Sequence, residues 1–546
     1  MGVFFRKYRT TYLTLQTILK IYVFFMMKKL KFVVAAATLL VSGSMMAGGL
    51  LTNTNHNITF NRNFARDGAI GIDGVYSNPA GVAFLGKGLH MSFNIQNVYQ
   101  TRTILSGMTV YKPSFLSMSD EAWQQTPYSH PFVMYGGDEQ GVKEFKGKST
   151  VPILPSFQIA KNYDKWGIQV GFALNGGGGK CTFNEGLASF ERTIAMIPAL
   201  LYTQGISTSG APGYSVSSYL KGQQYVFGLQ LGGTYKINEH LAAYAGFRFN
   251  YVFNKYKGNI TNISANINGE SQNLYNYFGE RAEQAQQAAM IYQTQADMAT
   301  DPAVKAQAAA AAEQYQQAYQ KLDATRPMFA DRYLDCTQNG WGITPIIGFD
   351  AKFGKWNFGT RLEFTTHFNI ENDTKRDDTG LFKHGVNTPS DLPGIWTIGA
   401  QYEILPTWRV MGGYHLFFDK NAEMADNKQK KLSGNTQEFL LGTEWDVTKK
   451  ITVSCGGQRT KYGLGDGSYL SDMSFVTSSY SFGFGAKVNI MKNVDLNIAY
   501  FFTDYSHKKK EYDQTLEAGG MQVQVHNTDD FTRTNKVLGV GVDIHI

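Results

Sequence analysis

The sequence predicts an all-β protein: a 14-stranded antiparallel transmembrane β-barrel with an N-terminal hatch and a helical insertion in one extracellular loop. Two patterns predict the barrel. Apolar and polar residues alternate along most of the chain, and short connections alternate with long ones. The composition agrees, because the 546 residues include 57 glycines and 14% aromatic residues but only 17% charged residues. Soluble domains carry about 25% charged residues.

Residues 1–47 predict an exported protein. They contain seven lysine or arginine residues and no acidic residue, and Met27–Ala47 combines a lysine-rich start, the apolar run Phe32–Val41 and small residues before a cleavage point after Ala47. These are the parts of a signal peptide, with residues 1–26 as an upstream extension. Without this segment the 51 basic residues fall to 44, equal to the 44 acidic residues. A nucleic-acid partner is therefore not expected.

Residues 48–88 precede the first strand and show no regular period. Their second half, "GIDGVYSNPAGVAFLGKG", is rich in glycine, which permits close backbone approaches, and its Asn78–Pro79 step favours a fixed turn. We predict that this segment is a hatch that lies inside the barrel and packs through apolar residues such as Val75 and Phe84. The alternative is a periplasmic leader without fixed structure.

Residues 89–546 carry the alternation. In "KVLGVGVDIHI", near the C-terminus, Leu, Val and Ile side chains share one face, and Gly, Asp and His share the other. A strand of this kind needs a different solvent on each side, as a barrel wall in lipid provides. The segments run about 10–16 residues, which suits tilted membrane strands better than a soluble sandwich. Fourteen such segments begin near Leu89, Val151, Lys165, Gln224, His240, Gly340, Lys355, Ile395, Thr407, Asn435, Lys450, Ser478, Asn493 and Thr532.

The connections define two rims. Tight links such as "NYD", "FGK" and "LPT" alternate with much longer ones. Outer-membrane barrels have short periplasmic turns and long outer loops, so the long connections are predicted to be extracellular. They are residues 103–150, 177–223, 257–339, 374–394, 420–434, 463–477 and 509–531.

Two loop segments have helical character. Glu280–Ala324 is rich in Ala, Gln and Glu, and Asp301–Pro302 favours the start of a second helix, so a helical hairpin is predicted at about 280–325. It is either a lid or a solvated hairpin. The stretch "FERTIAMIPALLY" predicts a helix with an apolar side, and ordinary loop packing explains that side as well as ligand binding does. The candidate ligand-contacting residues on it are Phe190, Ile194, Ile197 and Leu201.

No catalytic or metal-binding pattern is found in the sequence. The protein is therefore predicted to be no enzyme and to use no cofactor and no metal. Cys181, Cys336 and Cys455 lack metal-ligand spacing, and the first two either pair or remain thiols. Glu363 and His367 are both predicted to face the barrel interior, where charged residues are ordinary.

The stretch "GAIGIDGVYSNPAGVAFLGKGLHMSF" resembles the N-terminal hatch of the FadL-type family, the outer-membrane transporters of long-chain fatty acids and their aromatic-hydrocarbon relatives. That family carries an Asn-Pro-Ala motif just before its first strand, and Asn78, Pro79 and Ala80 match it. "DLPGIWTIGAQYEILPTWRVMGGYHLFFDK" resembles a late strand–turn–strand segment of the family, and "NGWGITPIIGFDAKF" resembles the strand after its helical loop. The resemblance implies that Asn78, Pro79, Ala80 and the following Gly81 act in the hatch and its gating.

The resemblance also implies a function. It is passive uptake of long-chain fatty acids or other hydrophobic small molecules across the outer membrane of a Gram-negative bacterium. Outer loops would capture the ligand, and hatch rearrangement would release it sideways through a gap at a kinked strand. Gly176–Gly179 would either supply that kink or begin a loop, and we expect that they begin a loop. The implied partners are outer-membrane lipid, lipopolysaccharide and the hydrophobic ligand, around a monomeric barrel.

Other functions fit the same sequence. One is a haem- or aromatic-hydrocarbon uptake protein of the same architecture. Another is a structural or adhesive outer-membrane barrel whose external helices contact a partner. A third is an outer-membrane lipase, for which the sequence contains no Gly-x-Ser-x-Gly motif.

Overall fold

A computed structural model describes residues 50–114, 116–203, 213–518 and 521–546 of the chain. The predicted signal peptide, residues 1–47, lies outside the described residues. Within them, antiparallel strands close into a barrel of fourteen strands, as the sequence predicts. The strands are β1 (Gly88–Val110), β2 (Val142–Asn162), β3 (Trp166–Phe183), β4 (Tyr214–Lys236), β5 (Leu241–Ile267), β6 (Arg332–Phe353), β7 (Trp356–Glu363 and Asn369–Asp377), β8 (Asn387–Pro389 and Ile395–Leu405), β9 (Trp408–Phe417), β10 (Gln437–Asp446), β11 (Ile451–Lys461), β12 (Ser479–Met491), β13 (Val494–Tyr505 and Lys508–Ala518) and β14 (Met521–His545).

The two ends of the strand order close the barrel. β1 pairs with β2 on one side and with β14 on the other. The register between β1 and β14 runs without a shift from His90 opposite His545 to Val110 opposite Val525. Closure matters in lipid because unpaired backbone groups find no water there.

Short turns and long loops lie at opposite rims of the barrel, as the sequence predicts. We call these rims the short-turn rim and the long-loop rim. The short turns are residues 163–165, 237–240, 354–355, 406–407, 447–450 and 492–493. The longest connection, between β5 and β6, contains a short strand (Glu270–Asn273) and the helical insertion.

The strands are longer at the long-loop rim than the alternation predicts. β5 has 27 residues, whereas a tilted strand crosses a bilayer with about 9–11. The predicted starts of β2, β4, β6 and β14 are each wrong by 8–11 residues. Beyond the bilayer the outward face of a strand meets water and the inward face packs against buried apolar side chains, so the apolar-outward pattern of a membrane segment ends while the strand continues. For the same reason the predicted loop 509–531 is wrong, because residues 508–518 of β13 and 521–531 of β14 pair as antiparallel strands.

The barrel is apolar on its outer surface and polar inside. Large apolar side chains on the outside are widely exposed, with Leu441 at 72% and Trp341 at 63%. The inward positions hold buried polar side chains such as Gln96, Asn250 and Glu363. This is the arrangement of a wall with lipid outside and a polar bore within.

Seven α-helices are found among the described residues, and none of them is long and apolar enough to cross a bilayer. Two short ones lie in the N-terminal segment, three lie in long loops, and two form the insertion. They are α1 (Ile58–Arg62), α2 (Gly74–Ser77), α3 (Asp120–Gln124), α4 (Ala188–Ala195), α5 (Ile197–Thr203), α6 (Leu274–Met298) and α7 (Pro302–Thr325).

The predicted helical hairpin is confirmed as α6 and α7. Asp301 caps α7, because its carboxylate accepts from the amide of Ala303 over 2.8 Å, and Pro302 takes the first helical position. The helices meet along small side chains, and the rings of Tyr292 and Tyr315 stack between them with centroids 5.3 Å apart. The buried alanines of this seam are Ala282, Ala285, Ala289, Ala296, Ala308, Ala312 and Ala318.

Candidate functional site

The N-terminal segment, residues 50–87, lies inside the barrel, and we call it the plug. Its sequence motif fixes it to the wall near the short-turn rim. The Asn78 side-chain amide donates to the carboxylate of Asp350 on β6 over 2.5 Å, and the Pro79 carbonyl accepts from Gln169 on β3 over 2.7 Å. Ala80 packs between Tyr244 on β5 and Ile346 on β6.

Gly81, the fourth predicted hatch residue, has no room for a side chain. A Cβ atom there would overlap the amide nitrogen of Asn78 and lie 3.0 Å from a carboxylate oxygen of Asp350. The motif is therefore an anchor that touches three strands. Whether its four residues also act in gating stays a prediction.

Buried ion pairs hold the plug against the wall. Arg62 contacts Glu444 of β10 at 2.8 Å, and Arg66 contacts the same carboxylate at 3.2 Å. On an adjacent part of the wall, Asp67 of the plug lies 3.0 Å from the imidazole of His415. The sequence did not predict these contacts, because the plug has no periodicity that would place its arginines against particular strands.

Wall glycines make space for the plug backbone. A methyl group at Gly359 of β7 would overlap the carbonyl oxygen of Asp67, and one at Gly442 of β10 would overlap the side chain of Asn63. At Gly483 of β12 it would overlap another plug carbonyl. Part of the high glycine content therefore lies on inward positions of the strands, where the plug touches the sheet directly.

A small cavity lies between plug and wall, and most of the residues that line it are polar or charged. Its volume is about 30 Å³, which is room for about two water molecules. Its lining includes His56 and Asp73 of the plug and an ion pair of the wall, in which Arg248 contacts Glu363 at 2.6 Å. An apolar molecule in this cavity would separate buried charged groups without replacing their contacts, which is unfavourable.

The pairing between β2 and β3 is interrupted, and we call this interruption the β2–β3 break. It spans residues 149–156 of β2 and 173–181 of β3, because the register jumps from Lys148–Thr182 to Phe157–Phe172. Pro152 lies in the unpaired stretch of β2, where its missing amide hydrogen costs no sheet bond.

At this break β3 bends toward the plug. Gly177 and Gly179 have φ values of +93° and +61°, which glycine adopts without strain. The plug supplies the backbone partner that β2 does not: the amide of Asn53 donates to the carbonyl of Asn175 over 2.8 Å, and Thr52 bridges to Gly176. The expectation that Gly176–Gly179 enters a loop is wrong, since these residues lie within β3.

An apolar cluster fills the half of the bore next to the long-loop rim. The plug contributes Leu50 and Leu51 to it, and β3 contributes Cys181 from the β2–β3 break. We call it the outer cluster. Its other members include Ile104, Met108, Phe132, Phe145, Phe183, Leu187, Leu220, Phe278, Phe475 and Phe531.

The four candidate ligand-contacting residues all lie in the outer cluster. Phe190, Ile194, Ile197 and Leu201 are each at most 8% exposed. They belong to two helices rather than one, because the chain leaves the helical hydrogen-bond pattern between α4 and α5 at Met196. Their contact with a ligand stays a prediction.

Two sequence expectations about other residues are decided by the structure. Glu363 faces the bore as expected, but His367 does not, because β7 is interrupted between its two segments and the His367 side chain is 73% exposed. His367 instead contacts Asp391 at 2.7 Å. Cys181 and Cys336 are both unpaired thiols.

These features define a class of protein: a transmembrane β-barrel whose own N-terminal segment fills the bore. No protein-family model and no curated relative matches the sequence. A FadL homologue of Pseudomonas aeruginosa matches 91% of this chain and 99% of its own, with 11% identity and a TM-score of 0.53. The toluene transporter TodX of Pseudomonas putida matches 87% and 94%, with 12% identity and a TM-score of 0.44. The chain thus has the FadL-type fold that its sequence resembles.

Proposed function

We propose that this chain is an outer-membrane protein that passes hydrophobic small molecules, long-chain fatty acids among them, into the membrane through its side. The observation that carries the proposal is the β2–β3 break next to the outer cluster. Cys181 belongs to both, so an apolar molecule that leaves the cluster at this residue reaches an unpaired stretch of wall. In this proposal the long-loop rim faces the cell exterior.

The direct route along the bore is disfavoured by charge. Between the outer cluster and the short-turn rim lie the plug ion pairs of Arg62, Arg66 and Glu444 and the Arg248–Glu363 pair. An apolar ligand that entered this half would displace polar contacts without replacing them, which is costly in a buried site. The sideways route avoids that cost because the ligand goes from apolar protein to apolar lipid.

The plug would act as the gate of this route. Asn53 and Thr52 bond to the bent part of β3, so their withdrawal would leave Asn175 and Gly176 without these backbone partners and free β3 to move. The Asn78 anchor lies on the same plug and donates to Asp350. We expect loss of this anchor to loosen the plug and change how often the route opens.

Uptake of radiolabelled oleate tests the proposal in a Gram-negative strain that lacks the protein. Wild-type protein should restore uptake, and Asn78→Ala should reduce it, whereas Asn421→Ala, at an exposed loop asparagine, should not. The heat-dependent mobility of the barrel on SDS gels controls for folding. Parallel arms with haem and with a labelled aromatic hydrocarbon test the alternative ligands of the same architecture. Restoration of uptake for none of the ligands would contradict the proposal.

A structural or adhesive role is a second candidate, and the helical hairpin favours it. α6 has 25 residues and α7 has 24, so the hairpin is about 36 Å long. Its distal residues Met290, Ile291 and Met298 are more than half exposed. If deletion of residues 280–323 abolished attachment of cells to a surface and left oleate uptake unchanged, the hairpin would serve this second role.

A further inference from the structure

Six lysines form one patch on the outward face of the barrel near the long-loop rim, and we call it the lysine patch. They lie on four neighbouring strands, β2 to β5, and all point away from the bore. The residues are Lys146, Lys148, Lys180, Lys221, Lys255 and Lys257. Nothing in the proposed uptake route uses them.

The sheet register brings five of these six lysines together in two rows. In the first row, Thr182 lies between Lys148 and Lys221 and is opposite both of them. Lys221 in turn lies directly opposite Lys257. The other row joins Lys180 to Lys255 through Gln223. The rows are two residues apart along each strand, about 7 Å. Like charges placed opposite each other on neighbouring strands repel, so this register favours the binding of a counter-ion.

The protein supplies few counter-ions of its own. Lys257 contacts Asp335 at 2.9 Å, and Lys146 lies 3.7 Å from Glu144. Within the described residues, no carboxylate pairs with any of the other four lysines, Lys148, Lys180, Lys221 and Lys255. The patch therefore keeps an excess of positive charge.

The depth of the patch in the membrane indicates what kind of partner it can bind. Immediately on the membrane side of the lysines, the same strands carry outward aromatic residues at successive register positions, first Tyr225 opposite Phe253 and then Phe227 opposite Tyr251. Aromatic girdles of this kind mark the boundary between lipid chains and headgroups. The lysines thus lie at headgroup depth, where phosphate groups of membrane lipids are found.

The neighbouring wall has mixed charge, because the first row continues through Asp335 of β6 to Arg376 of β7, which pairs with Asp378. Glu371 and Asp373 on β7 are exposed on the outward face, and the second row of the patch continues through Thr337 of β6 to Asp373. The lysines are therefore concentrated on β2 to β5, and beyond them acidic and basic side chains alternate. A charge confined to four strands is suited to one bound headgroup rather than to a uniform belt around the barrel.

We propose that the lysine patch binds the phosphate groups of a phosphorylated lipid in the outer leaflet. The lipid would sit beside the β2–β3 break, because Lys148 occupies the last paired position of β2 before the break and Lys180 lies in the unpaired stretch of β3. This inference rests on the outer-membrane placement proposed above. It concerns the outer surface of the wall and not the ligand inside it.

Native mass spectrometry of the detergent-purified full chain tests the proposal with a bis-phosphorylated diglucosamine lipid and its dephosphorylated form with the same acyl chains. Wild-type protein should retain the phosphorylated lipid at least about tenfold better than the dephosphorylated one, since each lysine near a lipid phosphate contributes to the attraction. Replacing Lys148, Lys180, Lys221 and Lys255 together by Gln should remove that preference.

The matched control removes the same charge from the opposite rim. Lys161, Lys165, Lys449 and Lys450 are exposed near the short turns, and their joint replacement by Gln should leave lipid retention unchanged. Equal retention of both lipids by wild-type protein, equal loss in the two variants, or displacement of the lipid by millimolar inorganic phosphate would overturn the proposal. Oleate uptake is measured separately, so a failure of uptake with intact lipid retention would count only against the proposed function.

Discussion

The half of the bore next to the short turns is charged, whereas the half next to the long loops is apolar. Next to the short turns, plug and wall meet through buried ion pairs such as those of Glu444, and wall glycines let the plug backbone touch the sheet. Next to the long loops, helices α4 and α5 fold inward and form an apolar cluster with the plug residues Leu50 and Leu51. The plug thus has a charged body and an apolar N-terminal end.

Under the proposed function, this difference decides which molecules each half of the bore admits. The charged, close-packed half disfavours apolar molecules, because they cannot replace the polar contacts that they would break. The apolar half disfavours ions, because it offers no polar groups to replace their water. The β2–β3 break lies where the two halves meet, since Thr52 and Asn53 of the plug bond to β3 just below the outer cluster. Four predictions test this division, in order of expected effect.

Glu444→Gln should weaken the charged half most. The variant removes the carboxylate that Arg62, Arg66 and Arg409 share, and breaking a buried ion pair costs about 3–5 kcal/mol. The plug should then leave its seat more often, and single-channel recordings in planar bilayers should show larger and more frequent conductance. Glu371→Gln, which removes an exposed carboxylate from the outer face, is the control. Equal recordings from the two variants would contradict a role for the ion pairs in plug docking.

Ile194→Ala should loosen the apolar half. Ile194 is 1% exposed within the outer cluster, and truncation of a buried isoleucine costs about 2–5 kcal/mol. Protease added to intact cells should cleave the loop of α4 and α5 faster than in the wild type. Val304→Ala, at a position 53% exposed on the hairpin, should not change the cleavage. Unaltered cleavage in Ile194→Ala would mean that the cluster does not hold this loop.

Gly359→Ala should disturb the contact between plug and wall. The added methyl group would overlap the carbonyl oxygen of Asp67, and overpacking of this kind costs about 1–3 kcal/mol. Conductance in planar bilayers should increase, but less than in Glu444→Gln. Gly412→Ala is the matched control, because the nearest atoms to a methyl group there lie 3.8 and 3.9 Å away. A leak of the same size in both variants would show that close approach of the plug is not the cause.

Lys428→Met should remove a small pH dependence at the long-loop rim. Burial, together with the charges of Lys431 and Lys510, lowers the pKa of Lys428 to about 7, and its ammonium lies 4.3 Å from the centre of the Tyr469 ring. Between this value and the ordinary lysine pKa, the folded loop binds fewer protons than the open one, so the folded loop gains stability as pH rises.

Hydrogen exchange at residues 418–436 measures this effect. After correction for intrinsic exchange rates, protection in the wild type should increase from pH 6.5 to pH 8.5. Asp419 in the same loop has a pKa raised by burial to about 6, so it contributes little in this interval. Protection in Lys428→Met should be flat. A slope that persists in the variant would assign the pH dependence to another group.

The alternation of residues predicted the barrel wall because the bilayer imposes it. The strand number, the antiparallel order and the six short turns all follow from segments such as β14, in which one face meets lipid and the other meets the bore. The prediction failed where that cause is absent. The parts of β4 and β5 beyond the membrane have water outside and the apolar outer cluster inside, so their outward residues are polar and the apolar-outward pattern of a membrane strand is lost.

The plug contacts could be predicted only in part. The Asn78–Pro79 step and the surrounding glycines indicate a fixed segment with close approaches, and both are observed. The partners could not be predicted, because the contacts of Arg62 and Asp67 join residues more than 340 positions apart. The bend of β3 was misassigned for a related reason: a run of four glycines reads as a loop unless the plug backbone that pairs with it is known.

The closure of the barrel between β1 and β14 limits how the plug can enter the bore. The plug is joined directly to β1, and it touches strands as far along the chain as β14, where its Ile58 meets the Cβ position of Gly539. If the barrel closed first, the plug would have to enter it through one rim, past the long loops or the short turns. We therefore expect the plug to settle on the open sheet first, so that residues 50–87 are enclosed when β14 pairs with β1.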